Sequence, residues 1–217
     1  MSKKSTIKIK CANCGQEINF VAHDSVNVTL DPNLRDKVFS GEVFRYHCDE
    51  CGFDGDQNYP LLYHDMDKGF MVYYTYPSGI DEFEYMMTLE QCIDKQILKD
   101  LNSKITRRTT SERHEFFEKI IILENGYDDR IIEVLRLNLI NSFKKEKNNK
   151  NVDHTFFDMV RKDSGQKNLV CFLFVKGKEE PFVHEVHPME YNELYAYFKN
   201  RLPHYNNCLV DQAFAEK

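Results

Sequence analysis

An α+β chain in three parts is what this sequence predicts, and three features predict it. Strand-like alternation is confined to the two ends, and the hydrophobic period changes from two to nearly four after about residue 88. A C-x-x-C-G pattern occurs twice, as CANCG at 11–15 and CDECG at 48–52. The expected parts are a β-rich module over 1–88, a helical segment over 89–147 and a small α+β unit over 148–217. With 16 Phe and 12 Tyr among 217 residues, and only 9 Gly and 6 Pro, ordinary packed cores are within reach.

TIKIK alternates and leads into Cys11. EINFVAH and VNVTL alternate on either side of His23-Asp24-Ser25, which predicts a hairpin turning there. DPNLRDKVFSGE reads as a short helix, with Asp31 as cap, Pro32 at its first position and Gly41 ending it. VFRYHC is a strand running into the second cysteine pair, and LLYHDMDKGFMVYYTY is a hairpin turning at Asp65–Gly69.

In the middle segment TLEQCIDKQILKDL, SERHEFFEKIIILE and DDRIIEVLRLNLINSFKK read as helices. The last two are separated by NGYDD, where Gly126 stops one helix and Asp128 or Asp129 caps the next. KKEKNNKN is polar and charged throughout and reads as a linker. HTFFDMVRK and NLVCFLFVK flank a turn at DSGQ, PFVHEV is a third strand, and PMEYNELYAYFKNRL carries apolar residues at helical spacing.

The formal charge is −6, and it is unevenly spread. Residues 1–88 hold 8 Lys+Arg against 14 Asp+Glu, so the segment with the cysteine pairs is the most acidic. That argues against a finger tracking a phosphate backbone. MSKKSTIKIK lacks a signal-peptide core, and no window approaches a membrane span. The expectation is a cytoplasmic protein without membrane association, in which close cysteines are metal ligands or redox pairs rather than disulfides.

In a C-x-x-C-G knuckle the chain reverses so tightly that both sulfurs face one point, and the glycine carries the backbone past without a Cβ clash. Two such knuckles offer Cys11, Cys14, Cys48 and Cys51 as four thiolates, the set that structural Zn²⁺ takes in tetrahedral geometry. All four ligands come from the chain, so the site is structural and one zinc per chain is expected. The same ligands suit a rubredoxin-like iron site, and a dithiol redox pair is the third reading. Asp49 and Glu50, enclosed by the second pair, are expected to raise its thiol pKa values. The 33 residues between Cys14 and Cys48 exceed the roughly 15–20 of a short ribbon, but a longer insert costs little if it folds on itself.

With these knuckles, the insert NVTLDPNLRDKVFSGE and the PLLYHD segment after the second pair, residues 6–77 resemble the bacterial and archaeal CpXC domain proteins. EKIIILENGYDDRIIEVL is similar to the helical extension that many of them carry. Ala12 and Asp49 stand where that family's prolines would be, which leaves the ligands untouched. The resemblance implies a zinc-ribbon or rubredoxin-like module and a zinc ion, and carries no activity.

Cys92, Cys171 and Cys208 read as buried or incidental thiols, and His184 with His187 as a surface pair. His64, Asp65 and Asp67 form a secondary polar cluster in a predicted turn. No phosphate loop, dinucleotide fingerprint or nucleophile elbow is present, so no catalytic residue is assigned. The reading that follows is a non-enzymatic, zinc-stabilised protein acting through a protein partner or as a homo-oligomer. The alternative is a nucleic-acid-associated zinc-ribbon protein using Arg107, Arg108 and Arg113 on phosphates.

Overall fold

The alternation at the N-terminus becomes a hairpin of β1 (Lys3–Lys10) and β2 (Glu17–Asn27), with Ile9 opposite Ile18. This computed structural model describes residues 2–75, 105–146, 151–162, 165–202, 210 and 215. The expected turn at His23-Asp24-Ser25 does not form. β2 runs straight through it, because Ser25–Asn27 pair in parallel with Leu62–His64 of the next strand. Lys3 faces Ser25 and Lys4 faces His23, so Asp24 is the extra residue of a bulge, and the Ser5 hydroxyl donates to its Oδ1 at 2.6 Å.

After β2 come α1 (Asn33–Phe39) and a single 3-10 turn over Glu42–Phe44, and Gly41 joins them at φ 74°. Pro32 rather than Asp31 occupies the cap position, and the Asp31 carboxylate instead accepts from the Ser2 hydroxyl. A small hairpin of β3 (Arg45–His47) and β4 (Asp54–Asp56) follows, then the expected hairpin of β5 (Leu61–Asp65) and β6 (Phe70–Tyr74).

The middle segment is not helical throughout. Thr106–Thr110 form β7, which lies parallel to β6 and completes a five-stranded sheet in the order β1-β2-β5-β6-β7. Three of its five residues are threonines, whose branched Cβ suits a pleated surface better than a helix. On one face of this sheet Tyr63 and Tyr74 pack with Phe116 from the first turn of α2 (Arg113–Glu124).

The chain divides into two compact units, Met1–Phe116 and Phe117–Lys217. The expected boundaries at 88 and 147, and the predicted helix TLEQCIDKQILKDL, lie outside the described residues. In the second unit Gly126, at φ 78°, ends α2, and the Asp128 carboxylate accepts from the Arg130 amide at 3.1 Å to open α3 (Asp129–Glu146). β8 (Val152–Arg161), β9 (Lys167–Val175) and β10 (Phe182–Glu185) make an antiparallel sheet with β9 central, and α4 (Pro188–Phe198) follows. Ile122, Ile132, Leu135, Phe157, Leu169 and Cys171 form the heart of this unit's core.

Candidate metal centre

Each knuckle sits at the tip of its own hairpin, one between β1 and β2 and the other between β3 and β4. Their backbones are near copies. The Gly15 amide donates to the Cys11 carbonyl at 2.9 Å, and the Cys11 amide to the Gln16 carbonyl at 2.9 Å. In the second knuckle Gly52 donates to Cys48 at 2.8 Å, and Cys48 to Phe53 at 2.9 Å. Both closures need a left-handed glycine, and Gly15 and Gly52 supply it at φ 73° and 68°.

Amides then turn inward onto sulfur in the same pattern. Those of Asn13 and Cys14 donate to Cys11, and those of Glu50 and Cys51 to Cys48. The Gln16 amide donates to Cys14 and the Phe53 amide to Cys51. Two contacts tie the tips together: Asn13 donates its side chain to the Cys51 sulfur, and the Ala12 amide donates to the Tyr46 hydroxyl at 3.0 Å.

All four sulfurs lie within 4.8 Å of one another, and Cys11–Cys51 and Cys14–Cys48 are each 3.7 Å apart. A tetrahedral ion with metal–sulfur bonds of ~2.3 Å has ligand edges of ~3.8 Å, which the two 3.7 Å pairs match. The four cysteines can therefore bind one metal ion. Cys11 and Cys48 are buried, while Cys14 and Cys51 reach the surface.

Four thiolates this close cannot all ionise without a cation between them. Asn13 and the Phe53 amide bring Cys51 down to about 6, and the Cys14 amide lowers Cys11. The Gln16 amide also favours the Cys14 thiolate, yet the neighbouring sulfur of Cys51 and burial override it and push Cys14 up to about 12. Burial raises Cys48. Asp49 and Glu50 therefore do not set the second pair as expected, since Cys51 moves down. A divalent ion removes the conflict by favouring all four thiolates at once.

A family model described as CpXC protein matches residues 9–136, more than half of the chain. The chain belongs to the CpXC family. No curated protein and no solved structure matches it. The CpXC match takes in both knuckles, continues through α2, and ends at Arg136 in α3.

The secondary cluster of this CpXC chain does not converge. Asp65 is buried on the face of β5 that holds Leu61 and Tyr63, and its Oδ1 accepts from the Lys68 amide at 3.0 Å to close the turn. His64 lies on the opposite face, where burial lowers its pKa, and Asp67 is exposed. Among the described residues, the four cysteines are the group of metal-ligating side chains that could hold an ion. His187 caps α4 and His184 approaches Glu190 at 3.2 Å, while Cys171 is buried; Cys92 and Cys208 lie outside the described residues.

The three arginines are not one basic surface. Arg107 and Arg108 alternate across β7, Arg108 is buried, and Arg113 pairs with Asp56 at 3.1 Å. Asp129 is not a solvated cap either. It is 1% exposed and holds Lys119 at 3.3 Å, within a buried group of Glu118, Lys119, Asp129, Glu133 and Arg136. The sequence reading missed this group. Its signal was present, because Asp129, Glu133 and Arg136 follow helical spacing on the face that also carries Ile132.

Proposed function

We propose that this CpXC protein is a non-enzymatic, zinc-stabilised protein that works through contact with another protein or a second copy of itself. The observation that supports a structural role is the convergence of four of the chain's own sulfurs within 4.8 Å of one another, enough to supply every corner of a tetrahedral ion. Such a site leaves no open position at which a bound water could be activated. Zn²⁺ suits it because four thiolates impose a tetrahedron and zinc has no competing geometric preference. Iron would fit the same sulfurs, and a red protein would reveal it.

Support for a contact role comes from α4. It buries none of its residues fully, leaving Met189 at 61% and Tyr197 at 57% exposure. Aromatic and methionine side chains are the types enriched at interfaces. The test is sedimentation of the purified protein combined with stoichiometric capture from the native host. The proposal expects a defined oligomer or one partner in fixed ratio, lost on Met189→Ala with Tyr197→Ala. A lone monomer at high concentration that captures nothing would overturn it.

A further inference from the structure

One edge of the first unit's sheet is open. Among the described residues β1 is a terminal strand, paired on one side to β2. The Cys11 amide donates to the Gln16 carbonyl at 2.9 Å, and that bond sets the phase of the ladder. In an antiparallel pair alternate residues exchange bonds with their partners, and those between point their N–H and C=O away. Ser5, Ile7 and Ile9 therefore bond β2, whereas Lys4, Thr6, Lys8 and Lys10 direct their backbone groups outward. The His23 amide, opposite Lys4, obeys the same phase and turns from β1 to the Tyr59 hydroxyl at 3.2 Å. No described group bonds the outward N–H and C=O groups, and the side chains of all four residues are exposed.

The two faces of this strand differ. Lys4, Thr6, Lys8 and Lys10 share the solvent face. On the other, Ile9 is buried opposite Ile18 and Ile7 is half-buried opposite Phe20. β1 carries Lys3, Lys4, Lys8 and Lys10 and no carboxylate, inside the most acidic segment of the chain. Lys8 reaches Glu17 at 2.6 Å and Lys3 reaches Asp24 at 3.5 Å, as surface pairs that hold little energy. Lys4 and Lys10 pair with no described carboxylate. Lysines on an edge are a usual defence against strand pairing, and here they exclude one partner in particular. A second β1 laid along the edge sets lysine against lysine, and like charges directly opposite repel. The same row attracts a strand whose facing side chains are acidic.

We propose that the β1 edge takes up an extended segment of a partner protein, one that alternates acidic with apolar residues, as a sixth strand of the sheet. Its backbone meets the outward groups of Lys4, Thr6, Lys8 and Lys10, and its carboxylates lie beside the lysines. Its apolar side chains continue the row of Ile7 and Ile9 on the other face. The proposal rests on the contact role given above but uses a surface other than α4, so either can fail without the other.

The test is hydrogen exchange of the full chain with a synthetic peptide that alternates glutamate and valine. Without peptide the amides of Lys4, Thr6, Lys8 and Lys10 should exchange fast, while those of Ile7 and Ile9 are protected. Saturating peptide should slow the four by about tenfold or more, and less so at high salt. Thr6→Pro removes one outward N–H where an edge strand tolerates proline, and should abolish that protection. Lys4→Glu with Lys10→Glu should also abolish it, and transfer it to a lysine–valine peptide. If Thr6→Pro does not fold, the charge-reversed chain decides. Met189→Ala with Tyr197→Ala, which tests α4, should leave the peptide effect intact, and its loss there overturns the proposal. Four amides already slow in the free chain, or slowed by raising the chain's own concentration, also overturn it. So does a lack of protection at millimolar peptide, or equal protection by a scrambled peptide or a single-stranded oligonucleotide.

Discussion

At the scale of single residues, the four-cysteine cluster depends on side chains that hold the two knuckles in register. Tyr46 lies directly across the β3–β4 hairpin from Gly55, and a Cβ added at Gly55 would come within 2.7 Å of its ring. Gly55→Ala must push Tyr46 aside and is predicted to cost about 1–3 kcal/mol. Tyr46→Phe keeps the ring and strands the Ala12 amide, for about 0.5–1.5 kcal/mol. Denaturant melts of the metal-loaded protein check both, and each variant should also lose metal faster to a chelator. Burial also lowers the pKa values of His23 and His64. The unfolded chain takes up those protons first as the pH falls. Their contribution to stability is therefore complete above the ordinary histidine value of about 6.5 and is lost as the pH falls from there toward the folded values. Melting from pH 8 to pH 5 should show this loss, and His23→Gln should shrink it.

Among the elements, those whose residues follow one period over a long stretch were legible. β1, the start of β2, the β5–β6 and β8–β9 hairpins, α2, α3 and α4 stand where the sequence pattern puts them. The misreadings have local causes. His23-Asp24-Ser25 has turn composition, but strand pairing on both sides of β2 keeps it extended and leaves a bulge. Thr106–Thr110 is too short to declare itself beside strong helical patterns, and its place is set by β6, a tertiary partner that no local window contains. Asp129 has capping chemistry, but the position of Lys119 on the preceding helix draws it inward. That pairing gives an element-scale prediction. Lys119→Met removes the ammonium that faces the buried Asp129 and Glu133 carboxylates, leaving Glu133 to Arg136, and should cost about 3–5 kcal/mol in the second unit, measured by chemical denaturation.

For the molecule as a whole, the two knuckles were fully readable because metal ligation needs only residue type, short spacing and a glycine that turns. What they close was not, since the cross-knuckle bonds of Asn13 and Tyr46 join residues 38 and 34 positions away. Each unit has buried apolar side chains of its own, and in the first the four cysteines also join its two knuckle hairpins. Chelation should therefore unfold the first unit while the core amides of β9 in the second keep their exchange protection. The most direct measurement is elemental analysis of the purified full chain, paired with thiol titration before and after a chelator. The account predicts one zinc per chain, with four thiols that become reactive only when the zinc is removed. A protein without metal, or one whose metal content is unchanged by Cys11→Ser with Cys48→Ser, would contradict it.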